Sequence, residues 1–88
     1  MEFEFDPAKS HLNKQKHGID LIEAQQLWKD SHLIEGPGHS ATETRWLAVG
    51  TISGVHWTAC FTFRAERIRL IECRRARTEE REIYELSK

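Results

Sequence analysis

Seven of the eight arginines of this 88-residue chain fall between Arg64 and Arg81. Arginine presents a planar fork of donors that matches a phosphate or carboxylate in two-point contact. A cluster of this kind therefore points to an anionic, phosphate-bearing ligand. Arg64 and Arg67 fall at a turn, Arg69 within the strand that follows, Arg74, Arg75 and Arg77 at its exit, and Arg81 one helical turn later. Arg74 and Arg75 point to opposite faces of an ideal strand. Arg64 and Arg74 stand about 30 Å apart at full extension, so one compact site holding both needs a curved strand or a long substrate.

Groups that could move a proton are spread more widely. His11, His17, His32, His39 and His56 are acid–base candidates by residue type. None forms a His-Glu-x-x-His pattern, and no short-spaced cysteine pair accompanies them, so neither a metal nor a cofactor is expected. No GxGxxG, Walker or Gly-x-Ser-x-Gly pattern occurs. Glu72 beside Arg74 and Tyr84 on the last helix, one turn after Glu80, complete the set. Trp28 and Trp57 lie on apolar faces and read as core; Trp46 is open to either a packing or a stacking role.

The overall balance fits a divided molecule. Residues 1–44 carry four lysines and eight acids; residues 45–88 carry nine basic and six acidic residues. A basic C-terminal half suits a phosphate-bearing partner, although on charge alone a solvated face balanced by its glutamates is the favoured reading. Cys60 and Cys73 are too few for a disulfide framework and read as buried reduced thiols. The acidic opening and the lack of any long apolar run predict a cytoplasmic protein without a leader or membrane span.

The elements that must position these groups follow from pattern. Glu2 to Phe5 alternates as a short strand. Asp6-Pro7 opens a helix that Gly18 ends. Asp20 starts a second helix whose Leu21, Ile22, Ala24, Leu27 and Trp28 make an apolar face. His32 to Glu35 is a possible strand before the loop 36–40. Arg45 to Ser53, Val55 to Phe63 and Arg67 to Arg74 read as three antiparallel strands, with Val55, Trp57, Ala59, Phe61 and Phe63 on one face. Thr78 caps a last helix. The prediction is one α+β domain over 1–88: an antiparallel sheet of about four strands, two N-terminal helices and one C-terminal helix, the helices covering one face.

Several segments together resemble the BrnT toxins, a branch of the RelE-like ribonuclease toxins. They are Phe3-Glu4-Phe5-Asp6-Pro7-Ala8-Lys9, Asn13 with Lys16-His17-Gly18, Glu23-Ala24, Arg45 and Gly50, Arg64, the stretch Ile68 to Ala76, and Glu80-Arg81 with Tyr84-Glu85. Glu72-Cys73 stands where Ser-Ala is usual, and Phe63 where Tyr is frequent. The resemblance implies a RelE-like fold and the toxin of a type II toxin–antitoxin pair. It implies a BrnA-like ribbon-helix-helix antitoxin, a 2:2 hetero-tetramer, and DNA contact only through the antitoxin. On that footing Arg64, Arg74, Glu72 and Tyr84 are the expected catalytic residues of a metal-independent endoribonuclease. Lys16, His17, Arg45, Arg69 and Arg75 are its expected RNA contacts. RNA supplies its own nucleophile, the 2′-hydroxyl. The competing reading is a non-catalytic module that binds the antitoxin and acts as co-repressor; plain RNA binding without cleavage is a third.

Overall fold

The computed structural model describes residues 2–88. Strand β1 (Phe3–Glu4) leads into helix α1 (Pro7–His17), capped by the Asp6 carboxylate, which accepts from the Ala8 N–H at 2.9 Å. Gly18, at φ 81°, ends α1 and returns its N–H to the Lys14 carbonyl. A left-handed residue here releases the helix at little cost only when it lacks a Cβ.

The second helix, Glu23–Lys29, is a 3-10 helix rather than the α-helix expected. Leu21, Ala24 and Leu27 recur every third residue and are fully buried. That period is the 3-10 repeat, in which side chains eclipse at i and i+3. Ile22, read as part of the apolar face, is 62% exposed. Asp20 and Glu23 set the start reciprocally: the Asp20 carboxylate accepts from the Glu23 N–H, and the Glu23 carboxylate from the Asp20 N–H.

Strands β2 (Ile34–Pro37), β3 (Trp46–Ile52), β4 (Val55–Arg64) and β5 (Arg67–Arg75) follow, then helix α2 (Thr78–Leu86). The sheet order is β1-β5-β4-β3-β2. It has five strands, not about four, and is mixed rather than antiparallel, because β1 pairs parallel with β5 through Phe3 to Ile68 and Glu4 to Arg69. Ser53 and Gly54 join β3 to β4 with both residues at positive φ, the backbone of a two-residue hairpin turn whose twist matches its strands. Ile71 is an extra residue in β5: Cys60 faces Glu72 while Phe61 faces Leu70. This bulge resets the faces beyond it, so Ile68, Leu70 and Cys73 all reach the core.

The helices do not share one face. Ala59 and Phe61 point to the 3-10 helix, where Trp28 sets its ring against Phe61 at 5.4 Å. Their strand neighbours Thr58 and His56 meet α2 from the opposite face. The α2 sequence hides this, since two of its sheet-facing residues, Glu80 and Tyr84, carry polar groups. Phe63, at the end of the expected apolar row, is 54% exposed and stacks edge-on to Phe61 and Trp46. Trp57, Trp28 and Trp46 all pack against the core cluster. Cys60 and Cys73 are free thiols. Burial pushes the Cys73 thiol up to about 12 and raises that of half-buried Cys60. Among the described residues no helix is long and apolar enough to cross a membrane.

Two side chains hold the layers together. Asn13, buried on α1, donates to the carbonyls of Ile19 (2.7 Å) and Cys73 (2.8 Å) and accepts from the Cys73 N–H (3.2 Å). It thus pairs with the edge of β5 beyond the end of short β1. Asp30, just past the 3-10 helix, accepts from the Thr51 N–H and hydroxyl on β3 and from the Tyr84 hydroxyl on α2.

Candidate functional site

The expected site residues fall into separate places. At the β4–β5 tip, Arg64 faces Arg67 across the turn. The acids of the N-terminal segment come alongside: Glu2 lies 3.7 Å from Arg67, and Glu4 accepts from Arg69 at 2.8 Å. Arg69 is therefore neutralised by a neighbouring strand. Among the described residues, Arg64 has no carboxylate partner.

Arg74 pairs with Thr58 in the sheet, six residues along β4 from Arg64. The two backbones are thus about 20 Å apart, and the structure does not bring Arg64 and Arg74 together. Arg74 grips Glu80 through both terminal nitrogens, at 2.8 and 3.0 Å. Glu80 also accepts from the Thr58 hydroxyl (3.0 Å) and the Arg77 N–H (2.7 Å). Its contact with Arg74 is the largest influence holding its carboxyl at about 2, with the Arg77 and Thr58 donors adding to it against burial. Arg74 therefore clamps α2 to the sheet.

The three arginines around this clamp are different. Arg75, Arg77 and Arg81 are exposed and, among the described residues, form no ion pair. The Arg75 guanidinium lies over the Trp57 ring at 5.5 Å, which orients it without neutralising it. Ala76, between Arg75 and Arg77, donates its N–H to the His56 carbonyl at 3.1 Å. Arg81 follows Arg77 by one turn of α2, and Glu85 follows Arg81 by another. Glu85 lies 2.8 Å from His56 Nε2, and the His56 ring stands edge-on to Tyr84 at 5.4 Å. The end of the sheet where β5 exits thus carries, among the described residues, three arginines free of acidic partners: Arg75 over Trp57 on one face, and Arg77 and Arg81 at the start of α2, the helix that holds the His56 imidazole on the other.

The remaining expected residues lie elsewhere. Tyr84 is 2% exposed, and its hydroxyl donates to Asp30 at 2.5 Å. Burial and then Asp30 raise its pKa. Glu72 shares a shallow hollow with Lys16 and His17 of α1. His17 Nε2 is buried and, among the described residues, has no hydrogen-bond partner. Arg45, before β3, lies 3.4 Å from Glu43 and close to Cys60. Among the described residues no three His, Cys, Asp or Glu side chains converge as a metal site. Sequence reasoning did not single out Glu80 as the clamp or Glu85 as the partner of His56. The one sequence signal for either was the Glu80-Arg81 and Tyr84-Glu85 pattern.

A family model described as the ribonuclease toxin BrnT of type II toxin–antitoxin systems matches residues 5–80. No curated protein matches the chain.

Proposed function

This chain belongs to the BrnT family of ribonuclease toxins of type II toxin–antitoxin systems, and on that premise we propose that it cleaves RNA at the β5 exit, where Arg75, Arg77 and Arg81 hold the backbone phosphates. The observation that carries the reading is that, among the described residues, these three arginines lack acidic partners, whereas Arg69 and Arg74 each have one. An arginine already gripped by a carboxylate offers a phosphate little net attraction. A free one can bind the ground-state phosphate and the charge that builds on it in the transition state. The reaction needs no metal: the 2′-hydroxyl attacks the adjacent phosphorus, and the protein aligns it and moves protons. Arg64, free at the opposite end, extends the basic track to a longer RNA.

In this reading the protein is a cytoplasmic, single-domain, RelE-like toxin that stops translation and growth until a BrnA-like ribbon-helix-helix antitoxin binds it in a 2:2 complex. The antitoxin has a suitable face of its own. Ile83 and Leu86 of α2 are 57% and 86% exposed, beside a groove lined by Ile34, Pro37, Leu47 and Val49. The same face supports the second reading, a module that binds its antitoxin and co-represses without cutting RNA.

Expression in bacteria lacking the antitoxin separates the two. Wild type arrests growth and produces new RNA ends, and the Arg75→Ala/Arg77→Ala/Arg81→Ala variant does neither while remaining folded. Intact RNA and normal growth with folded wild type would establish the partner-module reading instead.

A further inference from the structure

Resting on the ribonuclease reading above, we propose that His56, held by Glu85, is the proton-transfer group of the reaction. The geometry singles it out among the titratable side chains. His11, His32 and His39 are exposed and, among the described residues, have no side-chain partner to orient them. The Tyr84 hydroxyl is buried against Asp30, and the Glu80 carboxylate is filled by Arg74, Thr58 and Arg77. Glu72 and His17 lie with α1, in a different hollow from the free arginines.

His56 combines a fixed ring, a nitrogen without a hydrogen-bond partner and a place under α2, the helix whose first turns carry Arg77 and Arg81. Its Nε2 is 2.8 Å from Glu85, its ring is braced edge-on by Tyr84, and its side chain is 17% exposed. Among the described residues His56 Nδ1 makes no hydrogen bond and is not fully buried. The Ala76 N–H bond to its carbonyl brings the chain entering α2 at Arg77 alongside His56, whereas Arg75 lies over Trp57 on the other face of the sheet. The other charged groups facing the ring are Glu85 and, 3.4 Å from Glu85, Lys88.

The step uses the tautomer in which Nε2 carries the proton toward Glu85. Neutral His56 donates Nε2–H to Glu85, which leaves the lone pair on Nδ1. Nδ1 takes the proton of the 2′-hydroxyl. The 2′-oxygen bonds to phosphorus, and the bond from phosphorus to the 5′-oxygen breaks. Water protonates the departing 5′-oxygen, and the imidazolium returns its proton to the hydroxide so formed. The products are a 2′,3′-cyclic phosphate end and a 5′-hydroxyl end, with no water consumed. Glu85 does not touch the substrate; it positions the ring and stabilises its charged form.

The test uses the full chain, a mixed-sequence single-stranded RNA for cleavage, and its 2′-O-methyl counterpart for binding. His56→Ala is expected to lose roughly 10²–10³-fold in kcat, to bind the 2′-O-methyl strand within about twofold of wild type, and to regain activity with added imidazole. Glu85→Gln is expected to lose about tenfold and to shift the acid limb of the pH–rate profile. His56→Ala cleaving at the wild-type rate, or losing rate and binding together without imidazole rescue, overturns the proposal. Should His56→Ala fail to fold, His56→Gln retains a donor toward Glu85, and wild-type cleavage by it is equally fatal. Cleavage of the 2′-O-methyl strand by wild type sinks the proton-transfer scheme alone. Failure of wild type to cut any RNA sinks the ribonuclease reading and this proposal with it.

Discussion

Arg74 and Glu80 meet as a two-point pair, 2.8 and 3.0 Å across, with both side chains less than a fifth exposed. The pair joins the last strand to the last helix. It also explains why an arginine cluster legible in the sequence is only partly available to a ligand. Within the cluster the position of each neighbouring carboxylate decides which guanidinium is structural and which is free.

Glu80→Gln is expected to cost about 2 kcal/mol at neutral pH, because it strands the Arg74 charge against the sheet; the value is kept low because water still reaches the pair. The folded-state pKa of Glu80 is lowered from 4.5 to about 2. Its contribution is therefore complete above the unfolded value and fades as pH falls through the folded one. The gap between wild type and variant in urea melts should be constant from pH 7 to about 5.5 and close between about 4.5 and 2. A gap that holds at its neutral value down to pH 2 would mean that the pair is not the source of the stability.

Asp30 and Tyr84 couple the two faces of the sheet. Burial alone would raise the Asp30 pKa, but the Tyr84 hydroxyl and the His32 and Thr51 N–H groups outweigh it and hold the carboxyl at about 2. Tyr84→Phe should cost about 2 kcal/mol, as for a hydrogen bond to a charged group, and Asp30→Asn about the same. The two are expected to be non-additive, with a coupling energy of about 1 kcal/mol or more in a double-mutant cycle. Additive effects would show that Asp30 is held by Thr51 and His32 alone.

Asn13→Ala should cost about 3 kcal/mol, since it leaves the Ile19 and Cys73 carbonyls and the Cys73 N–H buried without partners. In a chain of this size that lowers Tm by roughly 10–20 °C. Amide exchange at Cys73 should accelerate more than at Ala59, in the middle of β4, because the edge of β5 loses the side chain that pairs it. Equal acceleration at both would point to global unfolding instead.

What could be read in the sequence was local. The Asp6-Pro7 start and Gly18 stop of α1 depend on neighbouring residues and are placed as expected. The Ser53-Gly54 turn is equally local. The parallel pairing of Phe3 with Ile68 has no local cue, because a two-residue strand gains its partner only in the folded chain. The position of α2 was hidden for a similar reason: its sheet-facing Glu80 and Tyr84 dock through polar contacts to Arg74, Thr58 and Asp30, so no apolar stripe marks the face. For the site, residue types were legible and pairing was not. Glu4 and Arg69 are 65 residues apart in sequence, and nothing nearer marks Arg69 as occupied.

That difference in pairing predicts a difference in salt dependence. Each arginine that contacts a backbone phosphate releases counterions, so the slope of log affinity against log salt falls by about 0.7 per contact on a single strand. Binding of a 2′-O-methyl RNA should therefore lose about 0.7 in slope for Arg75→Ala, for Arg77→Ala and for Arg81→Ala, and about 2 for the triple variant. Arg69→Ala removes the same formal charge, but from a pair that Glu4 already neutralises. Its slope should match wild type, with the loss read in thermal stability instead. If Arg69→Ala lowers the slope as much as Arg75→Ala does, the RNA runs past the hairpin tip and opens that ion pair. If none of the three exit variants lowers it, the phosphates are held elsewhere, and the free arginines of the β5 exit are a solvated surface.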